Sequence, residues 1–221
     1  MKIARSHYRF VPVLLTVAMV RLTCLAKEDA VQCANLIYGV NQTSRCFSDE
    51  FLSAVQRDTA IASERRFRSV KLASEELFEY PFVIMTGESR FSLSGREREN
   101  MKKYLTSGGF LLASAGCSNV DWDHSFRREI KSMFEDQELV TVNTNHPVFH
   151  TVYDIAELKP WHPAPQPRVE GLELDGKLVI LYSPQGLNDT AHTEGCCCCG
   201  GNEILNSMEM NVNVFVYALT H

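Results

Sequence analysis

Residues 81–117 read PFVIMTGESRFSLSGRERENMKKYLTSGGFLLASAGC, and the order of patterns within them decides the class of fold. Pro81 to Gly87 is apolar at nearly every position without alternation, as expected of a strand covered on both faces. Ser94 and Glu97 stand three apart, so each can satisfy a backbone donor of the other at a helix start. Met101, Tyr104 and Leu105 then line one helical face, and Gly108 ends the run. Gly109 to Ala115 is a second uninterrupted apolar strand. Strand, capped helix and strand of these lengths form a crossover unit joining two parallel neighbours.

The same alternation extends outward in both directions. Upstream, Ala34 to Gly39 and Phe67 to Leu72 read as strands. Between them Ser48 is an expected N-cap, with Phe47 placed to pack on Leu52, and Phe51, Leu52 and Val55 recur at helical spacing. Downstream, Trp122, Phe126, Ile130 and Met133 form the apolar stripe of a helix, with Arg127, Arg128 and Lys131 on its other face. Leu139 to Val142 is a short strand candidate. Pro160 to Pro167 has proline at four of eight positions and is read as an extended surface loop. Val169 to Leu174 and Lys177 to Ser183 flank Asp175-Gly176, a strong hairpin signal. A last helix starts near Asn206 and Glu209, a second box-like cap, and carries Met208, Val212, Phe215, Val216 and Leu219 as its core stripe. The expected architecture is α/β: a doubly wound, mainly parallel sheet with helices on both faces.

The N-terminus has a different character. Lys2, Arg5 and Arg9 precede the apolar run Val11 to Val20, and Cys24 and Ala26 supply a small-x-small cleavage site. Residues 1–26 therefore read as a signal peptide, and 27–221 as a single exported domain at the periplasm or cell envelope. The apolar run is half the roughly 20 residues needed to cross a bilayer, so no span is expected in the mature chain. Net charge is -5 and the sequence pI is about 5.8. No basic block interleaves with aromatics, which argues against nucleic acid as a partner. The partner classes left are a small molecule or an envelope protein, and no cofactor motif is visible.

In open α/β sheets ligands lie beyond the carboxyl ends of the strands. That rule selects Gly87 and Glu88 after one strand, Gly116 and Cys117 after the next, and Tyr182 to Gln185 after the last. Glu88 is a candidate ligand-binding carboxylate or, equally, a cap or ion-pair partner. Arg127 is a candidate anion contact across the crevice or a residue of a solvated helix face. His146 before Pro147 reads as a turn residue, and Trp161 and His162 as loop or lid residues.

The segments FEYPFVIMTGE, RERENMKKYLTSGGFLLASAGCS, WDHSFRREIKSMF, NHPVFHTVYDI, KLVILYSP and NVNVFVYAL together resemble the bacterial domain-of-unknown-function family 4159. Its fold is similar to that of class I glutamine amidotransferases. The resemblance covers most of Cys33 to His221 and implies that fold, with no established activity. It also implies one specific chemistry. Amidotransferases carry a nucleophilic cysteine on a turn between a strand and a helix N-terminus, with a His-x-Glu pair later in the chain. Cys117, His192 and Glu194 would then be nucleophile, base and orienting carboxylate. The elbow's second glycine is absent, since Asn119 stands there, and His192 lies well past the strand ending at Ser183. The expectation is therefore a structural Cys117, buried or disulfide-bonded.

Four of the eight cysteines form the glycine-fenced run GCCCCGG, residues 195–201. Cys196 and Cys199 alone have the Cys-x2-Cys spacing of metal ligands or of a redox pair. In an oxidising compartment disulfide bonding is the simplest fate of such thiols. Removing Cys24 leaves an odd number, so at least one thiol stays free or pairs between chains. A binding or structural role at the envelope is the leading functional expectation. A Cys117-dependent hydrolase or amidotransferase-like enzyme and a metal-binding module on Cys196 to Cys199 are the alternatives.

Overall fold

A computed structural model describes residues 30–40, 50–160, 166–187 and 204–221. Seven strands make one mixed sheet in the order β2-β1-β3-β4-β7-β6-β5. They are β1 (Cys33–Ile37), β2 (Arg68–Lys71), β3 (Phe82–Gly87), β4 (Phe110–Ala115), β5 (Val140–Thr141), β6 (Glu170–Leu174) and β7 (Lys177–Ser183). Five of them, β2, β1, β3, β4 and β7, run parallel, while β6 is antiparallel to both of its neighbours. The expected crossover unit is present, because β3 and β4 pair in parallel over their full length, from Phe82 opposite Phe110 to Gly87 opposite Ala115.

Four α-helices cover the sheet: α1 (Glu50–Asp58), α2 (Gly95–Thr106), α3 (Val120–Met133) and α4 (Ser207–Thr220). Side chains alternate across a strand, and the two sheet faces accordingly bury different sets. Val83, Met85, Leu111 and Ala113 pack with Met101, Tyr104 and Leu105 of α2 and with Trp122, Phe126, Ile130 and Met133 of α3. Phe82, Ile84, Phe110 and Leu112 pack with Phe51, Leu52 and Val55 of α1 and with Val212, Val214 and Phe215 of α4. Ser48 and Phe47, the expected cap and staple of α1, lie outside the described residues.

Local signals account for the element ends. Ser94 accepts from Glu97 N while Glu97 Oε2 accepts from Ser94 N at 2.7 Å, closing the capping box. Gly108 follows α2 at φ +96°, a region that side chains rarely enter. Asp175 and Gly176 both have positive φ, 50° and 76°, the conformation demanded by the tight hairpin turn between β6 and β7. At α4 the sequence reading needs correcting. Asn206 makes no side-chain cap bond. Its Oδ1 accepts from Lys159 N and its Nδ2 donates to Glu157 O. The helix is buried from Met210 to Tyr217 on nearly all sides, wider than the expected stripe, because it packs on the sheet and on α1 and also carries loops through Asn211 and Asn213.

Candidate functional site

The strand order reverses at β1: the chain leaves it outward to β2, then returns to place β3 on its other side. The carboxyl ends of β1 and β3 are therefore the switch point at which open α/β sheets form a crevice. β1 runs into Tyr38 and Gly39, and β3 into Gly87 and Glu88.

That crevice is packed with the chain's own side chains. Tyr38 is fully buried and its hydroxyl donates to Thr86 O at 2.9 Å. The same hydroxyl accepts from Trp122 Nε1 at 2.6 Å. This pair crosses directly over Gly87, where a Cβ would stand 2.4 Å from the Tyr38 hydroxyl and 2.5 Å from Trp122 Nε1. Phe91 packs edge-on to Tyr38 with ring centres 4.9 Å apart. Burial pushes the Tyr38 hydroxyl well above the ordinary phenol range, against the opposing bond from Trp122. Glu97, itself buried, holds Gly39 N through Oε1 at 2.8 Å while Oε2 completes the α2 cap. One carboxylate thus fastens the loop after β1 to the start of α2.

Glu88 is half-buried, and its Cγ would lie 2.7 Å from a Cβ at Gly116. The two strand-end positions selected from the sequence are therefore in contact, the acidic side chain lying along the bare backbone of the neighbouring strand tip.

Beyond β4 the chain makes a turn at Gly116–Ser118 and enters α3. Cys117 has φ 51° and ψ 38°, and Ser118 has φ 50°. Two consecutive left-handed non-glycine residues cost roughly 1–2 kcal/mol each. Bonds on both sides hold this turn: Asn119 N donates to Gly116 O at 3.0 Å and Ser118 Oγ donates to Gln185 O at 2.9 Å. Asn119 caps α3 by accepting from Trp122 N at 2.9 Å. That explains why no second glycine stands there: the position is a helix cap. Cys117 is half-buried above the α3 N-terminus, the place the resemblance implies.

After β7 the backbone is tied down as far as Leu187. Gly186 N donates to Ser183 Oγ at 3.0 Å, Leu187 N to Ser114 Oγ at 2.9 Å, and Asn211 Nδ2 to Leu187 O at 2.8 Å. His192, Glu194, Cys196 and Cys199 lie outside the described residues. His146 stands at the opposite end of the sheet. Its Nδ1 accepts from Val148 N at 3.2 Å in the turn Pro147–Phe149, and its ring faces Tyr217 near the start of β7. It is the turn residue the sequence indicated and cannot serve Cys117.

Arg127 belongs to an ion-pair network. Its Nη1 and Nη2 grip both oxygens of Glu170 at 2.6 and 3.1 Å, and its Nε donates to Asp123 at 2.8 Å. Arg168 Nε adds a third bond to Glu170 at 3.0 Å, and Tyr182 donates to Asp123 at 2.5 Å. Burial alone pushes the Glu170 carboxyl up, but the bonds from Arg127 and Arg168 outweigh it and leave it below the ordinary glutamate range. A guanidinium so engaged with carboxylates joins α3 to β6 and β7. Tyr38, Glu97 and Ser118 are the positioning residues that sequence reasoning missed, whereas Gln185 ends the strand-end stretch it selected. Only Glu97 carried a local signal, as a capping-box partner, because the others act across elements distant in sequence.

Among the described residues no helix is long and apolar enough to cross a membrane. Comparison with protein families finds that the model described as "Domain of unknown function (DUF4159)" matches residues 32–219. No curated protein matches the chain.

Proposed function

The chain belongs to the DUF4159 family, residues 32–219 forming the matched domain, and on that premise we propose that it acts as an exported binding or structural domain at the cell envelope, with Cys117 in a structural role. The observation that carries this reading is the filled crevice. Tyr38 and Trp122 occupy the space over Gly87 at the switch point, and Glu88 lies along Gly116. A thiol enzyme built on this fold needs that volume open for a substrate carbonyl and for the donors that stabilise its oxyanion.

Export is supported by the leader sequence, in which Lys2, Arg5 and Arg9 precede the apolar run Val11 to Val20. A structural Cys117 follows from the same reading. An oxidising compartment favours half-cystines. The cysteines at 46 and 196–199 supply partners for a bridge.

Alkylation of the purified, unreduced protein tests the assignment. Iodoacetamide is expected to leave Cys117 unmodified until a reductant is added, and peptide mass mapping is expected to find it joined to a second cysteine. Rapid, selective alkylation of Cys117 in the unreduced protein would overturn the structural role and favour the thiol enzyme.

A further inference from the structure

The sheet face that packs on α1 and α4 changes character at its carboxyl end. Phe82 and Ile84 of β3, Phe110 and Leu112 of β4 and Leu181 of β7 are apolar and buried there. Side chains alternate along a strand, so the next positions on this face are Thr86, Ser114 and Ser183. They stand in register, Thr86 opposite Ser114 and Ser114 opposite Ser183. All three are fully buried, as is Asn211 of α4. A row of hydroxyls therefore crosses three parallel strands beneath a helix.

The chain itself uses only part of this row. Ser183 Oγ accepts from Gly186 N at 3.0 Å, and Ser114 Oγ from Leu187 N at 2.9 Å. Leu187 O accepts in turn from Asn211 Nδ2 at 2.8 Å. The segment returning from β7 thus serves two hydroxyls in order and then meets the helix. Thr86 Oγ1 and Asn211 Oδ1, on either side of that clamp, have no hydrogen-bond partner among the described residues. Leaving buried polar atoms unpaired costs more than pairing them gains, and valine would fill the Thr86 position with the same shape. Spacing selects the missing partner. Neighbouring strands lie about 4.8 Å apart, too far for a direct bond between the Thr86 and Ser114 hydroxyls. Two bonds of about 2.8 Å meeting at a tetrahedral oxygen span about 4.6 Å. One water molecule fits that gap, and buried water commonly completes polar groups of this kind.

We propose that this layer is an internal hydration site, in which an ordered water bridges Thr86 Oγ1 to Ser114 Oγ and a second donates to Asn211 Oδ1. Thr86, Ser114, Ser183 and Asn211 are all uncharged, so the occupant is a neutral hydrogen-bonding molecule. The two faces of the sheet's carboxyl end then differ. The crevice toward α2 and α3 is filled by Tyr38 and Trp122, and the layer beneath α4 is wet. The inference stands apart from export and from the role of Cys117.

Magnetic relaxation dispersion of the solvent water over the purified full chain counts long-lived internal waters, and a crystal structure that resolves ordered solvent locates them. In the parent chain, density within hydrogen-bonding distance of both Thr86 Oγ1 and Ser114 Oγ is expected. In Thr86→Val the dispersion amplitude is expected to fall by about one water molecule and the denaturation midpoint to drop, because the bridging water loses a partner. Thr86→Ser keeps the hydroxyl and is expected to retain the amplitude. An unchanged amplitude in Thr86→Val would overturn the proposal. So would a midpoint unchanged or raised in that variant, the mark of a hydroxyl that had been buried dry. Should Thr86→Val fail to fold, the parent crystal structure decides alone: a site without density, or a protein group bonded to Thr86 Oγ1, sinks the inference.

Discussion

Gly87 shows how one residue can close a crevice. Its missing side chain lets the Tyr38 hydroxyl and Trp122 Nε1 meet at 2.6 Å, with both side chains fully buried. An added methyl would overlap both partners, and neither can retreat, because Tyr38 is also bonded to Thr86 O and Trp122 stacks on Phe126 with ring centres 5.1 Å apart. Gly87→Ala is therefore expected to cost about 3 kcal/mol, at the upper end for overpacking in a close-packed core. Denaturant unfolding measures it. Wild-type stability in this variant would mean that the pair yields and that the crevice opens readily. Cys117 and Ser118 illustrate the opposite case, unfavourable backbone retained because the Asn119 cap and the Ser118–Gln185 hydrogen bond hold it.

At the scale of elements, α4 does more than cover the sheet. Asn213 is fully buried. Its Oδ1 accepts from Val152 N at 2.9 Å and Tyr153 N at 2.8 Å, and its Nδ2 donates to Tyr153 O at 2.8 Å. One side chain thus satisfies three backbone groups of the loop following the turn at Pro147–Phe149. Two residues earlier Asn211 holds a second loop by a single bond, its Nδ2 donating to Leu187 O. The sequence offered NVNVFVYAL as part of a helix with an apolar stripe. The paired asparagines of that stretch are hydrogen-bonding posts, invisible to a periodicity argument because their partners lie about sixty residues upstream for Asn213. Asn213→Ala is expected to destabilise by about 1–2 kcal/mol, since it leaves partly buried backbone donors unpaired. Backbone amide exchange should show the loss concentrated at Val152 and Tyr153. Protection unchanged at those two amides would refute the assignment.

At the scale of the molecule, the network on Arg127 joins the parallel half of the sheet and α3 to the antiparallel extension. Glu170 of β6 pairs with Tyr182 of β7 in the sheet and with Arg127 of α3 through its side chain. Its carboxyl is almost fully buried while Arg127 is about one-third exposed, with side-chain exposures of 6% and 34%. The folded-state pKa of Glu170 lies below the ordinary value of 4.5, so the unfolded chain takes up the proton first as pH falls. The stabilisation is complete above about pH 4.5 and is lost as pH drops through the depressed folded value. Glu170→Gln is expected to lower stability by about 2 kcal/mol at neutral pH. The variant should also show a shallower acid limb than the parent in unfolding curves taken below pH 5. Parallel acid limbs in the two proteins would remove Glu170 from the account of acid stability.

What the sequence determined by itself is whatever short-range physics governs. Uninterrupted apolar strands, the Ser94–Glu97 box, Gly108, the Asp175-Gly176 turn and the α3 stripe each depend on residues a few positions apart, so the parallel unit β3-α2-β4, the β6-β7 hairpin and the α/β class were legible before any fold was known. The strand-end rule likewise named Gly87, Glu88, Gly116 and Cys117, because it follows from topology alone. What only the tertiary structure decided is how those positions are occupied. Trp122 was legible as a core residue of α3, yet its indole bond to Tyr38 joins residues 84 apart. Arg127 was legible as a charge on a helix face, yet its carboxylate partner Glu170 lies 43 residues on. Local pattern specifies which face a residue turns inward. Whether that face meets a ligand, a lipid or another side chain depends on long-range packing, which no window of sequence contains.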